Sequence, residues 1–145
     1  GAAAGGAPDQ VKHMQALAGE YRLDGHCLFT GWISKSQARA CIERADVLVS
    51  PRRQGTNTPL KIYEQLASGK PLVATNIWSH TQVLDETVCF LVDPEPGSMA
   101  AGILAALGDD ARRRKIVQNA LNLYESKYAG PVYERKIRQL LEVIA

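Results

Sequence analysis

Long apolar runs are missing from this sequence. No stretch approaches the roughly 20 residues that a membrane-spanning helix needs, and the first residues lack the charged, apolar, small-residue order of a secretory signal. A cytoplasmic setting is expected, with peripheral contact at the inner membrane face left open. Cysteine is scarce: Cys27, Cys41 and Cys89 are odd in number, widely spaced and set among apolar neighbours such as Leu28, Ile42 and Phe90. That excludes a disulfide framework, and without C-x-x-C or Cys/His clustering it argues against a zinc site, so the three read as reduced core residues. An excess of one charge is lacking too, since 17 Lys and Arg face 15 Asp and Glu for a formal charge of +2. Nucleic acid is therefore not indicated as a partner. His13 and His26 have no companions at metal-ligand spacing, so surface or edge roles are expected for them.

What remains is 145 residues with 46% hydrophobic and 22% charged side chains, which is the composition of one globular domain, 1–145, with a real core. The Gly/Ala run over residues 1–7 reads as a fusion remnant or as a glycine-rich turn after an upstream strand. The chain is accordingly expected to begin inside its fold, without the first strand.

Val11, Met14, Leu17 and Ala18 recur at helical spacing after Pro8 and Asp9, predicting a helix over 8–21. His26 to Thr30 is a short apolar run closed by Gly31 and reads as a buried strand. Ser34 suits the N-cap of a helix turning Ala38, Cys41, Ile42 and Ala45 inward. Asp46 to Ser50, Pro71 to Thr75 and Val88 to Val92 are further strands, the first of them β-branched and uninterrupted as in sheets covered on both faces. Thr58 and Pro59 are read as cap and first-turn proline of a helix carrying Leu60, Tyr63, Leu66 and Ala67 on one side, ended by Gly69. A short helix is expected over 80–84, a loop over 93–97, and helices over 98–107, 110–128 and 132–144. The regular alternation predicts an α/β fold with a Rossmann-like parallel sheet and helices on both faces.

In such sheets ligands bind beyond the carboxyl ends of the strands, and the loop after Ser50 is the richest of those places. It reads Pro51-Arg52-Arg53-Gln54-Gly55-Thr56-Asn57-Thr58-Pro59-Leu60-Lys61 and delivers the chain to a helix start. Unpaired N–H groups, a glycine and nearby cations suit a diphosphate; an ordinary polar loop is the other reading. Glu64, in the second turn, is placed either to accept bonds from a ribose diol or to be a solvated helical carboxylate. Arg52 and Arg53 read as a phosphate clamp or as two solvated arginines. His80 lies at the ligand edge of the sheet and stands as a lesser candidate for donor or acceptor contact.

The segment from Ser50-Pro51 through Gly55-Thr56-Asn57-Thr58-Pro59-Leu60-Lys61-Ile62-Tyr63-Glu64-Gln65-Leu66-Ala67-Ser68-Gly69-Lys70-Pro71-Leu72-Val73-Ala74-Thr75 resembles the signature of the retaining group 1 (family 4 type) glycosyltransferases. Phe29-Thr30-Gly31 is similar to that family's F-x-G strand end, Ala45 to Pro51 to its A-D-hydrophobic-P-S segment, and Leu91-Val92-Asp93-Pro94 to its L-V-x-P turn. The resemblance implies the C-terminal, donor-binding half of a two-domain GT-B enzyme whose N-terminal acceptor domain lies outside this chain. It implies that Glu64 binds the donor ribose, that the loop matching Thr56, Asn57, Thr58, Pro59 and Leu60 offers backbone N–H groups to the diphosphate and sugar, and that Gly31 and Trp32 lie beside the nucleobase; Gly55, read from the loop itself, permits close approach. Arg53 joins them as a candidate phosphate contact. Thr56 stands where the family's E-x7-E pattern has its first glutamate, so the usual carboxylate toward the sugar is missing.

The function the resemblance implies is retaining transfer of a hexosyl group from a nucleotide-diphosphate sugar to an acceptor alcohol, with no cofactor, no metal site of the D-x-D type and no general base in this chain. The isolated fragment is expected to be inactive. The alternative is a non-catalytic Rossmann-like nucleotide or sugar-nucleotide binding module; a flavodoxin-like domain would not explain the Pro59 to Thr75 match. The basic run Arg112-Arg113-Arg114-Lys115 reads as a solvated helix face, and Ile137, Leu140, Leu141 and Ile144 form an apolar stripe. That stripe would be exposed, or docked elsewhere, if the N-terminal domain is absent. The oligomeric state is open.

Overall fold

A computed structural model describes residues 2–4 and 6–144 of the chain. It forms two compact units, residues 1–44 and 45–145. In the first, strands β1 (Ala2–Ala4) and β2 (Cys27–Phe29) pair in parallel, Ala3 opposite Leu28. Helices α1 (Pro8–Glu20) and α2 (Lys35–Arg44) follow these strands. Ala2 to Ala4 of the Gly/Ala run form a strand, and Gly6 and Ala7 lead from it into α1; Gly1 and Gly5 lie outside the described residues. Ser34 caps α2 as expected. Its hydroxyl accepts from Gln37 N–H at 3.2 Å and Gln37 Oε1 accepts from Ser34 N–H at 2.9 Å, a reciprocal capping box. Two expectations fail here: Leu28, at the middle of β2, is 63% exposed, and Cys41 is exposed while Cys27 is only half-buried. Apolar character in a three-residue strand does not say which face is covered.

The second unit holds a parallel sheet in the order β3-β4-β5, built from Leu48–Ser50, Leu72–Thr75 and Phe90–Val92. Helix α3 (Lys61–Ala67) links β3 to β4, and α4 (Trp78–Thr81) lies between β4 and β5. Then come α5 (Pro96–Gly108), α6 (Asp110–Leu123), a π-helical turn (Tyr124–Tyr128) and α7 (Gly130–Ile144). Central strand β4 is buried at every position, as its Leu-Val-Ala-Thr sequence demands. β3 is not: Val49 is 41% exposed, so only the Leu48 and Ser50 face is covered. Pro96 and Gly97, expected in a loop, form the first turn of α5, where a proline's missing N–H would be unpaired in any case.

The core gathers Val73, Phe90, Ala106 and Ile116, flanked by Val92, Met99 and Ile103. Gly102 is what lets α5 lie on this sheet. A Cβ there would stand 2.6 Å from Val92 Cγ1 and 2.8 Å from Val73 Cγ1. Gly102→Ala should therefore destabilise the chain by about 1–3 kcal/mol, although alanine gains up to about 1 kcal/mol in intrinsic helix propensity. Urea unfolding measures the balance, and a variant more stable than wild type would show that α5 stands off the strands.

Half of the basic run is structural. Arg112 lies over the Phe90 ring, 4.7 Å from its centre. Arg113 caps the end of α5 through Nη1 bonds to the carbonyls of Ala106 (3.0 Å) and Leu107 (2.9 Å), and it pairs with Asp110. Tyr63 of α3 meets Tyr128 of the π turn edge-to-face at 4.9 Å. The α7 stripe is exposed as expected, with Leu140 and Leu141 both more than half open.

Candidate functional site

The route from Ser50 to Lys61 leaves the carboxyl end of β3 and returns into α3. Its residues 51–57 and Leu60 are exposed, with Thr58 and Pro59 half-buried. The helix begins later than expected: Leu60 is the N-cap, and a tighter turn precedes it, Ile62 N–H to Pro59 O at 3.0 Å and Tyr63 N–H to Leu60 O at 3.2 Å. Thr58 does not cap the helix with its side chain, because its hydroxyl donates instead to Gln82 Oε1 at 3.3 Å. The buried stripe of α3 is Ile62, Gln65 and Leu66, and Leu60, expected inward, is 84% exposed. With only seven helical residues, a one-residue uncertainty in the start rotates the inferred face by about 100°.

Among the described residues, the backbone N–H groups of Thr56, Asn57, Thr58, Leu60 and Lys61 donate to no protein acceptor. Gly55 has φ 154°, and a Cβ there would meet the Arg52 guanidinium at 2.9 Å. Arg52 Nη1 donates to Asn57 O at 2.9 Å. Arg52 is thus committed to the loop itself, whereas Arg53 is exposed and makes no hydrogen bond or ion pair among the described residues. Lys61, not singled out from the sequence although it closes the same loop, has its ammonium pKa lowered by partial burial and then by the charge of Arg52. The two like charges have no carboxylate paired to either among the described residues, so this end of the loop is electropositive.

Glu64 lies on the face of α3 opposite Ile62 and Leu66, exposed, with no hydrogen bond or ion pair among the described residues. Its carboxylate is available to a ligand and holds nothing in place. Gly31 and Trp32 belong to the first unit, where they line a groove of about 320 Å³ together with Gly6, Val11, Phe29 and Thr30. Trp32 is 81% exposed. A second groove, about 370 Å³, runs beside β5 and α5 past Asp93, Ser98 and Arg112, away from every residue nominated from the sequence.

His80, a lesser candidate for donor or acceptor contact, sits against the carboxyl ends of β3 and β4 and is fully buried there. Nδ1 lies 2.8 Å from Thr75 O, an obligate acceptor, so that nitrogen carries the proton and Nε2 accepts from Ser50 Oγ at 3.0 Å. Thr75 Oγ1 donates to the carbonyl of Arg52, joining the root of the loop to the same network. Its own burial, followed by the charges of Lys61 and Arg52, outweighs the bond to Thr75 and depresses the imidazole pKa below 6.5. Small polar residues ending β3 and β4, Ser50 and Thr75, were the sequence signal for a buried polar partner.

Comparison with known proteins follows the same lines. The family model described as "Glycosyl transferases group 1" matches residues 3–123. The chain is 28% identical over 130 residues to the phosphatidyl-myo-inositol mannosyltransferase of Mycobacterium tuberculosis, a match covering 86% of this chain and 34% of that protein. Among solved structures, sucrose-phosphate synthase from Thermosynechococcus elongatus superposes with a TM-score of 0.83 at 22% identity, over 98% of this chain and 37% of that one. HepE from Anabaena, solved in complex with UDP, gives 0.82 at 20% identity over 93% and 37%. The chain thus spans about a third of the length of the curated relatives it matches.

Proposed function

The chain belongs to the group 1 glycosyl transferases, and from that membership we propose that it is the donor-binding part of a two-domain enzyme transferring a hexosyl group from a nucleotide-diphosphate sugar to an acceptor alcohol. The observation that carries this reading is the Ser50 to Lys61 loop, where five N–H groups without a protein acceptor among the described residues share one stretch with Arg52 and Lys61. In the proposed reaction the anomeric carbon–phosphate oxygen bond breaks, the acceptor oxygen takes its place with retention, and the acceptor proton leaves to solvent or to a group of the other domain. Backbone N–H groups and cations stabilise the diphosphate as its negative charge grows, the contribution preorganised donors make best.

Glu64 is assigned to the ribose diol, with Gly55 to Leu60 and Arg53 toward the diphosphate and sugar, and Gly31 and Trp32 toward the base. The N-terminal domain supplies the acceptor site, and the setting is cytoplasmic, with peripheral contact at the inner membrane face left open. The UDP held by HepE, a structural neighbour of the same fold, makes UDP-sugars the first donors to try. Isothermal titration of the chain with UDP, GDP and ADP sugars tests the reading. One base is expected to bind at least tenfold more tightly than the others, and three flat titrations would remove the donor assignment.

A further inference from the structure

The segment after β4 grips the loop after β3 at its tip. Gln82, just past the end of α4, donates from Nε2 to Thr56 O at 2.7 Å and accepts from the Thr58 hydroxyl at 3.3 Å. From inside the loop, Arg52 holds the next carbonyl, that of Asn57, at 2.9 Å. These are adjacent peptide groups, and the described chain contains no cis bond. In a planar trans peptide the C=O of one residue and the N–H of the next point in opposite directions. Holding the Thr56 and Asn57 carbonyls therefore turns the N–H groups of Asn57 and Thr58 away from Gln82 and Arg52. Those two donors are among the ones with no protein acceptor.

We propose that Gln82 and Arg52 are positioning residues of the donor loop, clasping two consecutive carbonyls so that the Asn57 and Thr58 amides stay aimed at the diphosphate or sugar oxygens of the bound donor. The proposal rests on the donor-binding reading and assigns Arg52 a role other than a phosphate clamp. Preorganised donors bind an anion without first ordering the loop, so losing one clasp bond should weaken binding without weakening the fold. Gln82 is exposed and neutral, so its replacement changes neither core nor cation count.

Gln82→Met keeps the length and removes the hydrogen bonds; Arg52→Lys keeps the charge and removes the guanidinium fork. Each is compared with wild type by titration with UDP-glucose and, at one fixed UDP-glucose concentration that protects these amides in wild type, by amide hydrogen exchange resolved at Asn57 and Thr58. The expected result for both is an affinity lower by about tenfold, the scale of one net hydrogen bond. Exchange should be faster at those two amides and unchanged through Ile62 to Leu66, with the thermal midpoint within about 2 °C of wild type, as for exposed sites generally. Wild-type affinity in Gln82→Met, or unaltered exchange at Asn57 and Thr58, overturns the proposal. A wild-type chain that binds no UDP, GDP or ADP sugar overturns the donor reading and this proposal with it; that failure is recognised by its flat wild-type titration.

Discussion

His80→Ala should destabilise the chain by about 3 kcal/mol and lower its thermal midpoint by about 10 °C. The imidazole is fully buried, and it is the hydrogen-bond partner of both the Ser50 hydroxyl and the Thr75 carbonyl. Alanine leaves a cavity and strands the Ser50 hydroxyl, while Thr75 O keeps only the bond from Ile77 N–H at 2.9 Å, which is worse than losing apolar volume alone. The same residue sets an acid limb. Its folded-state pKa lies below the 6.5 of an ordinary histidine, so between those two values the unfolded chain binds the extra proton. The stability it contributes is fully present above about pH 6.5 and is lost as the pH falls through the folded-state value. His80→Gln, which keeps an amide in the same place and takes no charge there, should lose less at pH 7 and show a flatter decline toward pH 5. Thermal melts from pH 8 to pH 5 decide the matter, and an alanine variant within 1 kcal/mol of wild type would remove His80 from any structural role.

Glu64 is expected to behave in the opposite way, with a large effect on the ligand and little on the fold. If its carboxylate takes both hydroxyls of the ribose, two charge-assisted bonds are at stake, and Glu64→Ala should weaken UDP-sugar binding about 100-fold. Glu64→Gln, which keeps one acceptor oxygen, should fall between. Because Glu64 is exposed and makes no hydrogen bond or ion pair among the described residues, the thermal midpoint should move by less than about 2 °C in either variant. Unchanged affinity in Glu64→Ala would take the residue out of the site.

The elements were legible because their signals are local. Pro8 opens α1, Ser34 and Gln37 cap α2, and Pro71 restarts the chain in β4. The loop after Ser50 stood out through composition and through its resemblance to a known signature. The sequence was less informative wherever the answer depended on rotation or coverage. Leu60 and Leu28 are apolar yet exposed, and Cys41 is not in the core, since a short element can turn either side to solvent without changing its composition. Lys61 and Gln82 were overlooked for a related reason: each is an ordinary polar residue whose neighbour in space is far off in the chain or hidden by the turn.

By itself, the order of residues determined an alternating α/β chain, the position of the glycine- and cation-bearing loop, and its delivery into a helix carrying Glu64. These follow from backbone propensity, capping and periodicity, which act over a few residues. Tertiary structure alone decided that His80 is a buried strut rather than a ligand contact, that Arg52 bonds its own loop, and that Gln82, 26 residues from Thr56, holds that residue's carbonyl. Hydrogen bonds between distant residues depend on which peptide groups packing brings within about 3 Å, and no local pattern encodes that distance.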